Sequence, residues 1–181
     1  MAFNITEFRA QMTGDGARPN LFEVEMPFPA FASPLDAQKK LTFMCKSASL
    51  PGSTIGTIPV QYFGRELKFA GNRTFADWSI TIINDEDFMI RNAFEKWMNA
   101  INSHNLNIRN PIAENPGSYT VDAKVKQYGK TGQLLKAYRF AGLFPTDLSP
   151  IDTDWGSNDT IEEFTVNLSY QWWDSISSGV I

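Results

Sequence analysis

His104 is the single histidine of the 181-residue chain and Cys45 its single cysteine, so acid–base or nucleophilic chemistry would have to converge on one of them. No G-x-S-x-G elbow accompanies His104, and a Ser-His-Asp site would have no second imidazole to use. Its place just beyond a helical pattern suits solvent exposure or contact with the last helix carbonyls. Cys45 falls in the apolar alternation Leu41, Phe43, Cys45, the setting of a small buried hydrophobe, and a lone cysteine excludes an internal disulfide and a multi-cysteine metal site. Asp85-Glu86-Asp87 offer three carboxylates, but at the start of a helical pattern such residues cap the helix and complement its dipole. Asp152, Asp154, Asn158 and Asp159 imitate part of a calcium loop without its glycine and distal glutamate. Gly129-Lys130-Thr131-Gly132 has some letters of a phosphate loop but lacks the spacing and the following helix, and it reads as a turn. No catalytic residue, metal ligand or cofactor is assigned, and an enzyme is not expected.

Composition points the same way. The chain is 43% hydrophobic and 13% aromatic, enough to offset chain entropy by burial and to build one domain over 1–181. Its formal charge of −4 gives no electrostatic grip on nucleic acid. The N-terminus lacks the apolar core of a secretory signal, and no window approaches the roughly 18 apolar residues of a membrane span, so no membrane partner is expected.

Period-two alternation dominates and predicts a mainly β chain. Tyr119, Val121, Ala123 and Val125 alternate with Thr120, Asp122, Lys124 and Lys126, predicting a strand over 118–128. Phe164, Val166, Leu168, Tyr170 and Trp172 alternate with Thr165, Asn167, Ser169 and Gln171, predicting the longest clean strand over 160–172, placed within a sheet. Further strands are expected at 20–26, 40–46, 54–62, 65–70, 78–83 and 133–141, punctuated by turns at Gly64, Gly71-Asn72 and 129–132. The proline-containing stretch 28–38 is expected as a surface loop. From 85 to 103 the period changes: Ile90, Ala93, Phe94, Trp97, Ala100 and Ile101 describe an amphipathic helix capped by Asn84 or Asp85, with Asn105 past its last turn.

The segment from Ser47 to Asp85 is strand-like, rich in large side chains and too long for a tight hairpin. Ordering an extended arm costs roughly 1–2 kcal/mol per residue in backbone entropy, which contact with another chain would recover. A connection folded back on its own domain is the other reading the residues allow.

The segments RPNLFEVEM, CKSASLPG, IPVQYFGRELKFAGNRTFADWSITIINDED, GLFPTDLSPID and WGSNDTIEEFTVNLSYQWW, in this order, resemble the tail tube proteins of contractile-tailed, T4-like bacteriophages. The resemblance implies two packed antiparallel sheets, one flanking α-helix and a long projecting hairpin over about 55–73. It implies a structural virion protein whose hexameric rings stack into the inner tail tube. DNA would pass through the lumen without tight binding, and sheath, baseplate and tape measure proteins would be partners. The inter-ring stacking arm would then comprise Ile58, Val60, Tyr62, Phe63, Arg65, Lys68, Phe69 and Arg73, its cations meeting carboxylates such as Asp77, Asp152 or Asp154 of a neighbour. A local Arg73–Asp77 pair competes with that assignment. The lumen-face candidates are Asp122, Glu163, Thr165, Asn167, Ser169 and Gln171. A tail at 175–181 and the 28–38 loop depart from a compact family member. Two other readings stand beside this one: a type VI secretion (Hcp-like) tube or baseplate tube-initiator, and a monomeric ligand-binding sandwich with Trp155, Trp172 and Trp173 as its platform.

Overall fold

The computed structural model describes residues 4–32 and 35–176. Among these described residues nine strands form: β1 Phe22–Glu25, β2 Cys45–Ala48, β3 Thr54–Tyr62, β4 Arg65–Thr74, β5 Trp78–Ile83, β6 Val121–Tyr128, β7 Leu134–Leu148, β8 Glu163–Ser169 and β9 Trp172–Ile176. The helices are α1 Ile5–Gln11, α2 Leu35–Met44, α3 Met89–Ile101 and the single turn α4 Pro116–Tyr119.

β7 organises the core. Its first part pairs with β6 and β9 and its last residues, Phe144 to Leu148, pair with β8, so one strand serves two antiparallel sheets, β1-β6-β7-β9 and β7-β8-β5-β2. The change of sheet occurs at Gly142, whose φ of 65° lies in the left-handed region. Asp122 Oδ1 accepts the Gly142 N–H at 3.1 Å, and a Cβ there would stand 2.9 Å from Gln171 Cγ. The inward faces of both sheets meet in one cluster, with Trp78 stacked on Phe140 at 4.2 Å and Phe164, Val166 and Leu168 fully buried. α3 closes it with the expected stripe Ile90, Ala93, Phe94, Trp97 and Ala100.

Several expectations are corrected. α3 spans Met89–Ile101 rather than 85–103, and its N-cap position is Phe88 at φ 50°, not Asn84 or Asp85. Asp87 Oδ1 accepts the Met89 N–H at 2.9 Å and supplies the missing cap, while buried Asn84 donates to Glu162. The strand expected at 40–46 is mostly helix: α2 runs to Met44, and residues 35–38 of the expected loop belong to it. Leu41, Phe43 and Cys45 imitated period two, yet Phe43 is 84% exposed while Ala37 and Leu41, four apart, are buried. Pro29 and Ala32, in the same expected surface loop, are also buried. The strand expected from 118 begins at Val121, because residues 116–119 form a helical turn. The strand expected over 160–172 stops at Ser169; the chain turns at Tyr170 and Gln171 and enters β9 in the other sheet. β7, not this strand, is the longest. Ser175 and Ile176 of the expected tail lie in β9, and residues 177–181 fall outside the described residues. Cys45 is buried as expected, and burial pushes its thiol up to about 12.

α2 is tied to the turn before α3 by Lys40, which reaches Asp85 at 2.7 Å and also Asp87. The Lys40 ammonium, through its hydrogen bonds, holds both carboxyls below the ordinary aspartate value of 3.8 and is itself raised. A depressed carboxylate pKa adds stability above its unfolded value and loses it as pH falls through the folded value. Unfolding experiments carried from neutral pH to below 3.8 are therefore expected to show a decline that Lys40→Ala makes shallower.

Candidate functional site

Among the described residues β3 and β4 pair only with each other, and they leave the body as a two-stranded arm. Nine residues at about 3.3 Å each extend it by roughly 30 Å. Its turn is tight after all: Phe63 at φ 44° and Gly64 at φ 82° form a two-residue connection of the kind that matches strand twist. Gly71-Asn72, expected as a turn, lies inside β4 at a bulge opposite Gly56. A Cβ on Gly71 would sit 3.1 Å from the Gly56 carbonyl oxygen, so the close backbone approach explains the glycine.

The register sorts the candidate arm residues by face. Val60 opposes Leu67, Ile58 opposes Phe69, and Tyr62 opposes Arg65, so these six share one surface. Pro59 with Lys68 and Gln61 with Glu66 form the other. Leu67 is the member that the candidate list omitted; its period-two relation to Arg65 and Phe69 was the available signal. Phe63 stands at the tip, 92% exposed, its ring edge-on to Tyr62 at 4.6 Å. Arg73 donates to Ser53 Oγ at 2.8 Å instead of pairing with Asp77.

The second sheet carries an outward polar face. Glu163, Thr165, Asn167 and Ser169 share the side of β8 opposite its buried Phe164, Val166 and Leu168. Ser79 and Thr81 of β5 and Ser47 of β2 continue it through the register. Thr165 and Thr81 hydroxyls lie 3.3 Å apart, Asn167 donates to Asp147 at 3.3 Å, and Glu163 is paired with Lys46. Sequence alternation found the β8 members; the β5 and β2 members needed the pairing register. Asp122 and Gln171 do not belong to this face, since both sit at the Gly142 bend. The first sheet's polar residues differ in kind: Lys126 bridges Glu23 and Glu25, and Arg139 pairs with Asp174 at 3.1 Å.

Other candidates are dispersed. His104 is exposed, its N–H donating to Asn99 Oδ1. Among the described residues no group of three or more histidine, cysteine or acidic side chains is placed to hold a metal. The three tryptophans do not converge: Trp155 stands in the β7–β8 connection, while Trp173 packs on Tyr138 and donates to Gly52, and Trp172 lies under Arg139. No helix among the described residues is long and apolar enough to cross a membrane.

The phage tail tube protein family matches residues 17–175. Tail tube protein gp19 of Enterobacteria phage T4 is 34% identical over 167 residues, covering 92% of this chain and 96% of that protein. The tail tube protein of Serratia phage KSP90 is 29% identical over 168 residues, covering 92% and 93%. Among solved structures, a chain of the anti-feeding prophage tube-terminating cap superposes with a TM-score of 0.64 at 18% identity, over 98% of this chain and 100% of that one. That likeness speaks to the fold.

Proposed function

The chain belongs to the phage tail tube protein family, and we propose that it builds the tube by joining its second sheet edge to edge within hexameric rings and stacking those rings through the arm. The observation that carries this reading is the open-edged sheet. In β7-β8-β5-β2 the outer strands β2 and the last part of β7 each have one paired side. Unpaired strand edges invite pairing with another chain. Directions alternate across the four strands, so β2 of one copy meets β7 of the next antiparallel, and a heterologous contact repeated by rotation closes a ring. In this reading the chain acts as one domain, repeated as a unit.

In that ring the hydroxyl-rich face of Thr165, Asn167, Ser169, Ser79 and Thr81 lines the lumen. Its one lysine neighbour, Lys46, is already paired with Glu163. A phosphate backbone passing such a wall meets few cations to neutralise it, and each contact avoided removes a source of drag. DNA is therefore conducted and not bound. The role is structural and non-enzymatic, with sheath, baseplate and tape measure proteins as partners. The 34% identity to a phage tail tube protein favours a virion over a secretion tube.

Electron microscopy of the purified protein is the test. Rings or tubes with a central channel are expected, and a reconstruction places β2 beside β7 of the neighbour with Thr165 and Asn167 on the channel. A protein that stays monomeric at high concentration, or a channel lined by the first sheet, overturns the reading.

A further inference from the structure

The turn Gly129-Lys130-Thr131-Gly132 has no part in the proposed tube, and the fold sets it against the segment that enters β1. β1 pairs antiparallel with β6, so residues just before β1 lie beside the β6–β7 turn. The Tyr128 N–H donates to the Leu21 carbonyl at 2.8 Å, and the Gln127 side chain donates to the Arg18 carbonyl at 3.2 Å. Between that segment, α1 and the turn lies an open cavity of about 520 Å³. Arg9 of α1, Arg18 and Lys130 line it from three separate stretches of backbone, and no carboxylate is among its described lining residues. Among the described residues neither Arg9 nor Arg18 forms an ion pair, whereas Arg91 and Arg139 are held by Glu95 and Asp174.

Cations gathered in a concavity without counter-charges focus a positive potential there, although the chain as a whole carries −4. The backbone adds to it. In the 3-10 turn Thr13–Asp15, Gly14 stands at φ 62° and ψ 30° after a helical residue, the succession that turns consecutive N–H groups to one side and makes a hollow for anions. Thr13 and Gly14 are part of the cavity wall. Guanidinium forks match phosphate oxygens in pairs, and three cations match an anion of several charges better than a singly charged one. Met12 and Leu135, both exposed, give the same wall an apolar stretch, and the volume suits a ligand the size of a nucleotide.

We propose that this cleft binds a small molecule carrying linked phosphates, the group shared by free pyrophosphate and nucleoside di- and triphosphates. Arg9 and Arg18 grip the phosphate oxygens, Lys130 adds its charge from the turn, and the Thr13–Gly14 backbone offers N–H donors. The site is not a phosphate loop of the strand-to-helix kind, since its lysine sits in a turn between two strands. α1 buries none of its residues, so a ligand held between Arg9 and the turn ties that helix to the body of the subunit. The turn belongs to the first sheet and the hydroxyl face to the second, so the site is separate from the proposed channel wall and independent of the tube reading.

Calorimetric titration of the full chain with pyrophosphate at low ionic strength, repeated with adenosine triphosphate, is the test. Saturable binding of one anion per subunit is expected. Arg9→Gln with Arg18→Gln weakens it by about tenfold or more, while Lys39→Gln, an exposed lysine of α2, leaves it unchanged. Circular dichroism without anion shows that the variants fold. Hydrogen exchange provides a second readout: saturating pyrophosphate slows the amides of α1 by about threefold or more. Two outcomes uphold the site and separate the sources of the phosphates. A triphosphate that binds about tenfold more tightly than pyrophosphate, with the gain lost in Leu135→Ser, identifies a nucleotide, and equal affinities identify the phosphates alone. No binding of either probe, binding that survives the double arginine change, an equal loss in Lys39→Gln, or α1 amides that exchange as fast with pyrophosphate as without it each overturn the proposal.

Discussion

Replacing Tyr62, Leu67 and Phe69 together with serine is expected to leave a folded subunit that forms rings and builds no tubes. In the free subunit these side chains are 63%, 50% and 56% exposed, so none contributes to the core. Covering the remaining surface of each adds about 1 kcal/mol, and the contact recurs at every arm around a ring. A loss of about 3 kcal/mol per arm, multiplied by the number of arms, is decisive for stacking. In the proposed ring, closure uses strand edges at the body, which these substitutions leave untouched. Size-exclusion chromatography should show ring-sized particles, microscopy should show no stacked tubes, and subunit stability should stay within about 0.5 kcal/mol of wild type. Tubes forming as readily as before would remove the arm from the stacking interface.

The arm makes physical sense only in company. An isolated two-stranded hairpin is marginal in water, and this one has apolar pairs on one side and, among the described residues, no third strand paired with it. The sequence left two readings open, an arm held by another chain or a connection folded back on its own domain; the large alternating side chains fitted either. What it could not carry was the sorting by face. Lys68 and Phe69 are adjacent in sequence and point opposite ways, and only the register opposite Pro59 and Ile58 decides which belongs to the apolar surface.

The same distinction separates legible from illegible elsewhere. β5, β8 and the stripe of α3 were readable because each buries one face, so periodicity survives in the residue order. α2 was misread because Phe43, an exposed aromatic, occupied a position that local pattern assigns to the core. The break after Ser169 was invisible because Tyr170 and Trp172 continue the alternation while the chain changes sheets. Gln171 joined the lumen candidates through that same continuity, and Asp122 through the alternation of 118–128. Their actual place, at the Gly142 bend, is set by a backbone angle that no alternation encodes. The hydroxyl face, by contrast, was half visible: one strand from alternation, the others from pairing.

Trp97→Ala is expected to be strongly destabilising, and its contrast with Trp155→Ala separates a core position from a surface one. Trp97 is fully buried, lies 6.2 Å from Phe94 in a stacked arrangement and donates its Nε1–H to the Tyr119 carbonyl at 2.7 Å. Removing it opens a large cavity between α3 and the sheets and leaves that carbonyl without its donor, a loss of about 3–5 kcal/mol. For a chain of this length that lowers the melting temperature by roughly 6–20 °C, measured by calorimetry. Trp97→Phe keeps most of the volume and should cost about 1–2 kcal/mol, chiefly through the unmade hydrogen bond. Trp155, with its side chain wholly in solvent, should cost less than about 0.5 kcal/mol when replaced by alanine. The buried tryptophan and the solvent-exposed one thus differ sharply in what they contribute to folding. Equal effects of the two substitutions on melting would refute that separation.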